Sequence, residues 1–460
     1  MSNSKQLPLG TQIKNMKHSF LQVANLPLEN ILSTAWLKKF SGAVPHRCDA
    51  IFTPLITLRL FLLQVLNDDR SCKATVARFI IERAQNGESE VSYNSGPYCA
   101  ARQRLPLNLC ESAVKETAEK GKQVPHRLKW NGFHVYNVDG TTVQLEDTEE
   151  NQAEFPQQKN QKPGLGFPIV RLCALISLSN GMVADYTYGP YEGKGVGESS
   201  LFNQIQGSLT KGDLLLADRY YATYAIIMLL LIAGVPIVMR SHANRIIDYR
   251  KGTRLSKRDH LMKWEKPKRV PVWMSKEDYD NLPDTLEVRE FRVNGIDYIT
   301  TLLDPKKFPK KELNELYKQR WNIELDFRTL KTHMGMDELS CRTPKMIKIE
   351  LSMYLLAYNI IRSLIINSAE KFEKIPRNIS FRGAAQLIVM SATSLIVIVS
   401  RNMPSLADTL LQAISSNPIG LRNRTPQPRA RKRRPKPYPL LMTPREQAVK
   451  SLLFQHVIDR

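Results

Sequence analysis

The chain has 460 residues, 42% hydrophobic and 24% charged, a balance that excludes a disordered or fibrous protein and leaves room for about three domains. Its formal net charge of +22 points to a polyanionic partner, with DNA or RNA the common one. The six cysteines, Cys48, Cys72, Cys99, Cys110, Cys173 and Cys341, form no C-x-x-C pair, which argues against zinc, and their scatter suits a reducing compartment.

The first ten residues, MSNSKQLPLG, lack the apolar core of a signal peptide. Residues 1–125 read as helical: PLITLRLFLLQVLN (54–67) and SCKATVARFIIERA (71–84) carry apolar residues at helical spacing. With 16 Lys/Arg against 10 acidic residues, this segment suits a DNA-binding domain, though composition alone equally suits a helical packing domain. Two apolar stretches bear on membrane contact. Residues 225–239 are short and broken by Gly234 and Pro236; residues 383–400 hold Gln386, Ser391, Thr393 and Ser394 and read as a buried helix. No membrane partner is expected.

Residues 126–241 change character. FHVYNVDG (133–140) is a short apolar strand that should end at Asp139. RLCALISLS (171–179) and GMVADYTYG (181–189) are two strands joined by a Ser-Asn-Gly turn. A helix should start near Glu198, followed by the buried strand DLLLADR (213–219), an apolar helix and the strand PIVMRS (236–241). Strands followed by strand–helix–strand units predict a mixed α/β sheet covered by helices. Residues 242–302 read as a β-rich insertion, with Asn294-Gly295 as the turn of a hairpin in LEVREFRVNGIDYITTLL (286–303). Residues 303–370 return to helix and would complete the catalytic domain. Residues 371–460 form a helical C-terminal region with a basic, Pro-rich tail. That tail, RNRTPQPRARKRRPKPYP (422–439), has eight Lys/Arg, five Pro and no acid; it reads either as a phosphate-binding arm or as a solvated linker.

The chemistry centres on the segment ELYKQRWNIELDFRTLKTHMGM (315–336), read as one continuous α-helix. At about 100° per residue, Tyr317, Arg320, Glu324 and Lys331 share an arc of roughly 60°. Beside it lies an apolar stripe of Leu316, Ile323, Phe327, Leu330 and Met334, which must face a core. The polar stripe should therefore run along the core's margin. Taken alone, Arg320 and Glu324 could equally be a surface i,i+4 pair. Asp139 and Asp218, each at the end of an apolar strand, supply context, because ligand sites form at such ends. Three convergent carboxylates offer the hard oxygen donors that magnesium prefers. Two such ions about 4 Å apart can activate an attacking oxygen and stabilise a leaving one.

The spacing Tyr317, Arg320, Glu324, Lys331 (Tyr-x2-Arg-x3-Glu-x6-Lys) resembles the signature of the insertion-sequence-four family of bacterial DDE transposases. VDGTTV (138–143) resembles that family's first aspartate block and LLLADRYY (214–221) its second. The order Asp, Asp, β insertion, Glu also agrees, and the likeness spans roughly residues 95–365. The resemblance implies a ribonuclease-H-like fold interrupted by the β insertion, with Asp139, Asp218 and Glu324 as catalytic metal ligands for two magnesium ions, manganese able to substitute. It implies Tyr317, Arg320 and Lys331 as contacts to DNA phosphates. It further implies a cut-and-paste transposase that cleaves double-stranded DNA at transposon-end inverted repeats and joins the freed 3′ hydroxyls to target DNA. Such an enzyme would work as a homodimer in the synaptic complex, in the cytoplasm at the bacterial nucleoid. The alternatives are a ribonuclease-H-fold nuclease with another task and a non-catalytic DNA-binding protein derived from a transposase.

Several residues stand apart from this reading. Tyr220 occupies a position that is often small in the second block. Some relatives stack a flipped base on an aromatic residue of the insertion; Trp264 and Trp273 lie there, without a motif that assigns the role. Asp213 begins its strand and should sit at the opposite sheet edge. Glu198 reads as a helix-start residue rather than a fourth acid near the metals. Asp326 should point away from Glu324, and His134 should be structural.

Overall fold

The structure, a computed structural model, describes residues 32–44, 50–85, 87–89, 91–122, 125–193, 195–394, 403–419 and 442–458. The basic tail at 422–439 and the last part of the apolar stretch at 383–400 lie outside them. Up to residue 122 the described regular structure is helical: α1 (Thr34–Gly42), α2 (Pro54–Leu66), α3 (Cys72–Gln85), α4 (Gly96–Gln103) and α5 (Leu107–Gly121). The chain continues as β1 (His134–Gln144), α6 (Glu149–Glu154), β2 (Ile169–Ser177), β3 (Val183–Pro190), α7 (Glu198–Ile205), β4 (Asp213–Ala217), α8 (Tyr224–Ile232) and β5 (Ile237–Arg240). Then follow β6 (Thr253–Ser256), β7 (Asp259–Glu265), α9 (Lys276–Asp280), β8 (Thr285–Val293) and β9 (Ile296–Thr300). Helices close the order: α10 (Lys310–Lys318), α11 (Asn322–Arg328), α12 (Pro344–Lys371), α13 (Phe381–Ser394), α14 (Met403–Ser415) and α15 (Arg445–Ile458).

Among the described residues, all nine strands join one sheet in the order β3-β2-β1-β4-β5-β9-β8-β7-β6. β1, β2 and β3 form an antiparallel meander, while β4 and β5 add in parallel through helical crossovers. This is the ribonuclease-H-like arrangement. The insertion does not stand off as a separate sheet. β9 pairs antiparallel with β5, placing Met239 opposite Ile299, and β8, β7 and β6 follow outward. Its hairpin is the one expected: Val293 pairs with Ile296, and Asn294 (φ 51°) and Gly295 (φ 80°) take the left-handed conformations a tight two-residue turn requires. Arg289 anchors this flank: it grips Asp259 with two bonds of 2.8 Å and donates to the Phe308 carbonyl at 2.7 Å. Both side chains are buried, the setting in which leaving one partner unpaired is costly.

Alternation sorts side chains between two layers. In β4, Leu214 and Leu216 meet Leu316 and Tyr317 of α10, whereas Leu215 and Ala217 meet Tyr221, Ile226 and Ile227 on the other side. A further core gathers α1, α2, α5 and α12 against β2 and β3, so the N-terminal helices share a core with the helices that follow the sheet. α12, 28 residues, is apolar and long enough to cross a membrane by composition, yet 89% of its most apolar window is buried inside this fold, where it is the central core helix.

His134 bears out its structural reading. Its ring nitrogens bond Ser177 Oγ at 3.0 Å and the Tyr136 hydroxyl at 3.2 Å, and burial lowers its pKa to about 4. Because the folded value lies below that of a free histidine, about 6.5, the stability tied to a neutral His134 is complete above pH 6.5 and is lost as pH falls toward 4. The stability gap between the wild type and His134→Asn, measured by urea unfolding, should therefore narrow by on the order of 2 kcal/mol between pH 7 and 4.5. A gap that stays constant over that range would contradict the assignment.

Candidate active site

The register of β1 on β4 places two aspartates side by side. The parallel pairing ends at Asn137–Leu216, and two residues further along, on the same face, stand Asp139 and Asp218. β1 does not end at Asp139 as the sequence suggested. It runs on to Gln144 because its pairing with β2 continues to Gln144–Ile169, and only its β4 edge opens. Asp218 leaves β4 and caps a short 3-10 turn, accepting a bond from the Arg219 amide at 2.7 Å.

The third carboxylate arrives on the helical segment packed against that face. Leu316, Ile323, Phe327, Leu330 and Met334 are all buried, as their stripe required. The segment is not one uniform helix, however. It winds as α10, a 3-10 turn at Gln319–Trp321, α11, and a π turn at Thr329–His333. Irregular winding of this sort gathers at functional sites. It also removes the constant angle per residue on which a single polar arc was drawn. Tyr317 lies inside rather than at the margin: it is buried, its hydroxyl donates to the Ala217 carbonyl at 3.3 Å, and burial pushes its phenol up to about 12.

Arg320 joins the helix to the strand. Its guanidinium donates to Asp139 Oδ2 at 3.2 Å and to Glu324 Oε1 at 2.9 Å, bringing the first and third acids to one cation. Lys331 donates to the Thr142 carbonyl further along β1, at 2.9 Å. Asp139 is strained electrostatically. Burial, the largest influence, pushes its pKa up to about 6 against the pull of the Gly140 amide and Arg320, and the charges of Glu198 and Asp218 push the same way.

Among the described residues, no group of three His, Cys, Asp or Glu is already closed tightly enough to hold an ion. The donors are of the kind a hard divalent cation takes: the Asp139 and Glu324 carboxylates share one guanidinium, and by register Asp218 stands beside Asp139 on the same face.

The residues set aside in the sequence are elsewhere or occupied. Asp326 is buried on the far side, bonded to the Tyr358 hydroxyl, Arg362 and Arg377 at 2.7–3.0 Å. Asp213 sits at the start of β4 opposite His134, bonded to Thr210. Trp264 is 3% exposed, donates to Glu290 at 2.8 Å and lies under the Arg245 guanidinium; Trp273 packs half-buried on the same core. Tyr220 is 64% exposed, edge-on to His242. Glu198 is indeed the first residue of α7, but it also lies against Gly140, beside Asp139. Sequence reasoning missed Asn137 altogether. It is fully buried two residues before Asp139, with neither polar side-chain atom bonded among the described residues, and no motif marks it.

Comparison with known proteins places this geometry. The family model described as transposase DDE domain matches residues 131–360, half of the chain, from the start of β1 into α12. Transposase InsG for insertion sequence element IS4 of Escherichia coli (strain K12) is 26% identical over 349 residues, covering 74% of this chain and 76% of its own. A cryo-EM structure of the piggyBac transposase synaptic complex with hairpin DNA aligns over 88% of this chain and 85% of that chain, at 11% identity and a TM-score of 0.42. The chain belongs to the DDE transposases, in the insertion-sequence-four family.

Proposed function

We propose that this transposase cuts DNA at the ends of its element and joins the freed 3′ hydroxyls to target DNA, using Asp139, Asp218 and Glu324 as its catalytic acids. Members of the family bind DNA and work with divalent metal ions. The observation that carries the reading is the single guanidinium shared by Asp139 and Glu324, with Asp218 beside Asp139 at the open edge of β1.

The three carboxylates would hold two magnesium ions, or manganese in their place. When bound, such a pair supplies activation of the attacking oxygen and stabilisation of the leaving one. The chain's own groups set the stage. Asp139 and Asp218 are fixed by backbone amides that donate to one oxygen of each; the second oxygen of Asp139 is the one Arg320 holds, and a metal would have to take it from that guanidinium. Arg320 neutralises Asp139 and Glu324 here and, once they take a metal, is free to turn its planar fork toward a phosphate. Lys331 would exchange the Thr142 carbonyl for a phosphate oxygen, whereas Tyr317, buried on the Ala217 carbonyl, would hold the start of the segment against β4 rather than reach DNA. The surplus of 22 positive charges supplies long-range attraction to DNA. We place the reaction in a homodimeric synaptic complex on inverted-repeat ends, in the bacterial cytoplasm at the nucleoid.

Incubated with its element's ends and magnesium, the protein should nick at the end sequences. Asp139→Asn and Glu324→Gln should each slow nicking by about a thousandfold or more. End cleavage by either variant at the wild-type rate would overturn the assignment.

A second outcome follows from the electrostatics. Asp139 has its pKa raised in the fold, so the associated stability is full below about pH 4 and is lost as pH rises through about 6. In EDTA at pH 8, Asp139→Asn should be more stable to urea than the wild type by about 1–3 kcal/mol, an advantage that falls by about two thirds at pH 4.5 and is gone below about pH 4. A variant that is less stable at pH 8 would contradict the desolvation account.

A further inference from the structure

The acid with no place in the triad is Glu198. It opens α7, which packs with α8 on the face of the sheet opposite Arg320 and Glu324. Tyr136 and Val138 of β1 point into that layer, and Gly140 is next in the alternation, opposite Cys173 of β2. A Cβ at Gly140 would stand 2.7 Å from the Glu198 carboxyl carbon and one of its oxygens, and 2.8 Å from Cγ. The Glu198 carboxylate thus occupies the space that any other residue at 140 would fill. Gly140 directly follows Asp139, at the point where the β4 edge of β1 has already opened. The missing side chain lets Glu198 lie against the strand at the residue next to Asp139.

A helix-start role does not account for this placement. An acid in the first turn is favourable wherever it points along the helix end. Glu198 instead turns toward the strand. Among the described residues, no backbone amide, hydroxyl or cationic side chain donates to its half-buried carboxylate. Oxygen donors brought to neighbouring positions in this way are the kind of group a divalent cation completes.

We propose that Glu198 is a fourth carboxylate of the divalent-metal site, admitted to Asp139 from the opposite face of the sheet through the gap at Gly140. This rests on the triad reading above. In the metal-loaded enzyme it would bind one cation directly or through its water shell, and Gly140 would serve as the positioning residue that lets it approach.

The test is a Mn2+ titration of the full chain, counting free ion by electron paramagnetic resonance, with melting in EDTA to confirm folding. Glu198→Gln should weaken binding of one Mn2+ by about ten- to hundredfold while the other is retained. Gly140→Ala, which keeps the carboxylate but displaces it, should produce the same loss and carries the test if Glu198→Gln does not fold. Wild-type Mn2+ binding in Glu198→Gln or in a folded Gly140→Ala would overturn the proposal and return Glu198 to a helix-start role. Asp139→Asn separates the two readings: if it loses Mn2+ while Glu198→Gln does not, only the fourth carboxylate fails; if it too binds as wild type, the triad fails.

Discussion

One guanidinium joins the strand carboxylate of Asp139 to the helix carboxylate of Glu324, and that meeting is fixed by burial of the stripe Leu316, Ile323, Phe327, Leu330 and Met334. These apolar side chains have no other layer in which to leave water. Packing them sets the rotation of the segment, and the rotation sets where Arg320 and Glu324 emerge. The 3-10 and π turns within the segment are local adjustments that keep the stripe buried while letting the polar residues face β1. The far side is pinned as firmly. Asp326, on the same segment, takes Arg362, Arg377 and Tyr358, so the helix can neither roll nor slide without unpairing a buried charge.

The site is assembled at a cost in folding energy. Asp139 is held in a poorly solvated position beside Asp218 and Glu198, with a single arginine in partial compensation. The sheet bears the strain because its other anchors are satisfied: His134 within its strand pair, Arg289 on Asp259 in the insertion, and the apolar layers on both faces. Rigid surroundings and an incompletely compensated centre are what preorganised electrostatics requires.

Much of this was legible in the residues. The unbroken apolar run of DLLLADR announced a buried strand, Asn294-Gly295 announced the insertion's hairpin, and the stripe on the 315–336 segment announced the face that must be buried. Other features were hidden for physical reasons. The length of β1 depends on a partner strand distant in sequence, so TTVQ after Asp139 carries no local sign of extension. The change in helical winding between Tyr317 and His333 is set by tertiary packing, which a fixed angle per residue cannot express. The burial of Tyr317 follows from the same limit. Gly140 reads locally as the residue after a strand end, and only the position of α7 shows that Glu198 fills the space a side chain there would take. That the insertion continues the main sheet rather than forming its own is likewise decided by the β5–β9 pairing alone.

The central claim is that three acids remote in the chain form one metal-binding centre around the place Arg320 now spans. Anomalous diffraction at the manganese edge, from crystals grown with Mn2+, tests it most directly. The account predicts peaks bounded by Asp139, Asp218 and Glu324, with Arg320 no longer bridging the first and last. Peaks confined to other carboxylates, or Arg320 still spanning Asp139 and Glu324 at saturating Mn2+, would contradict it.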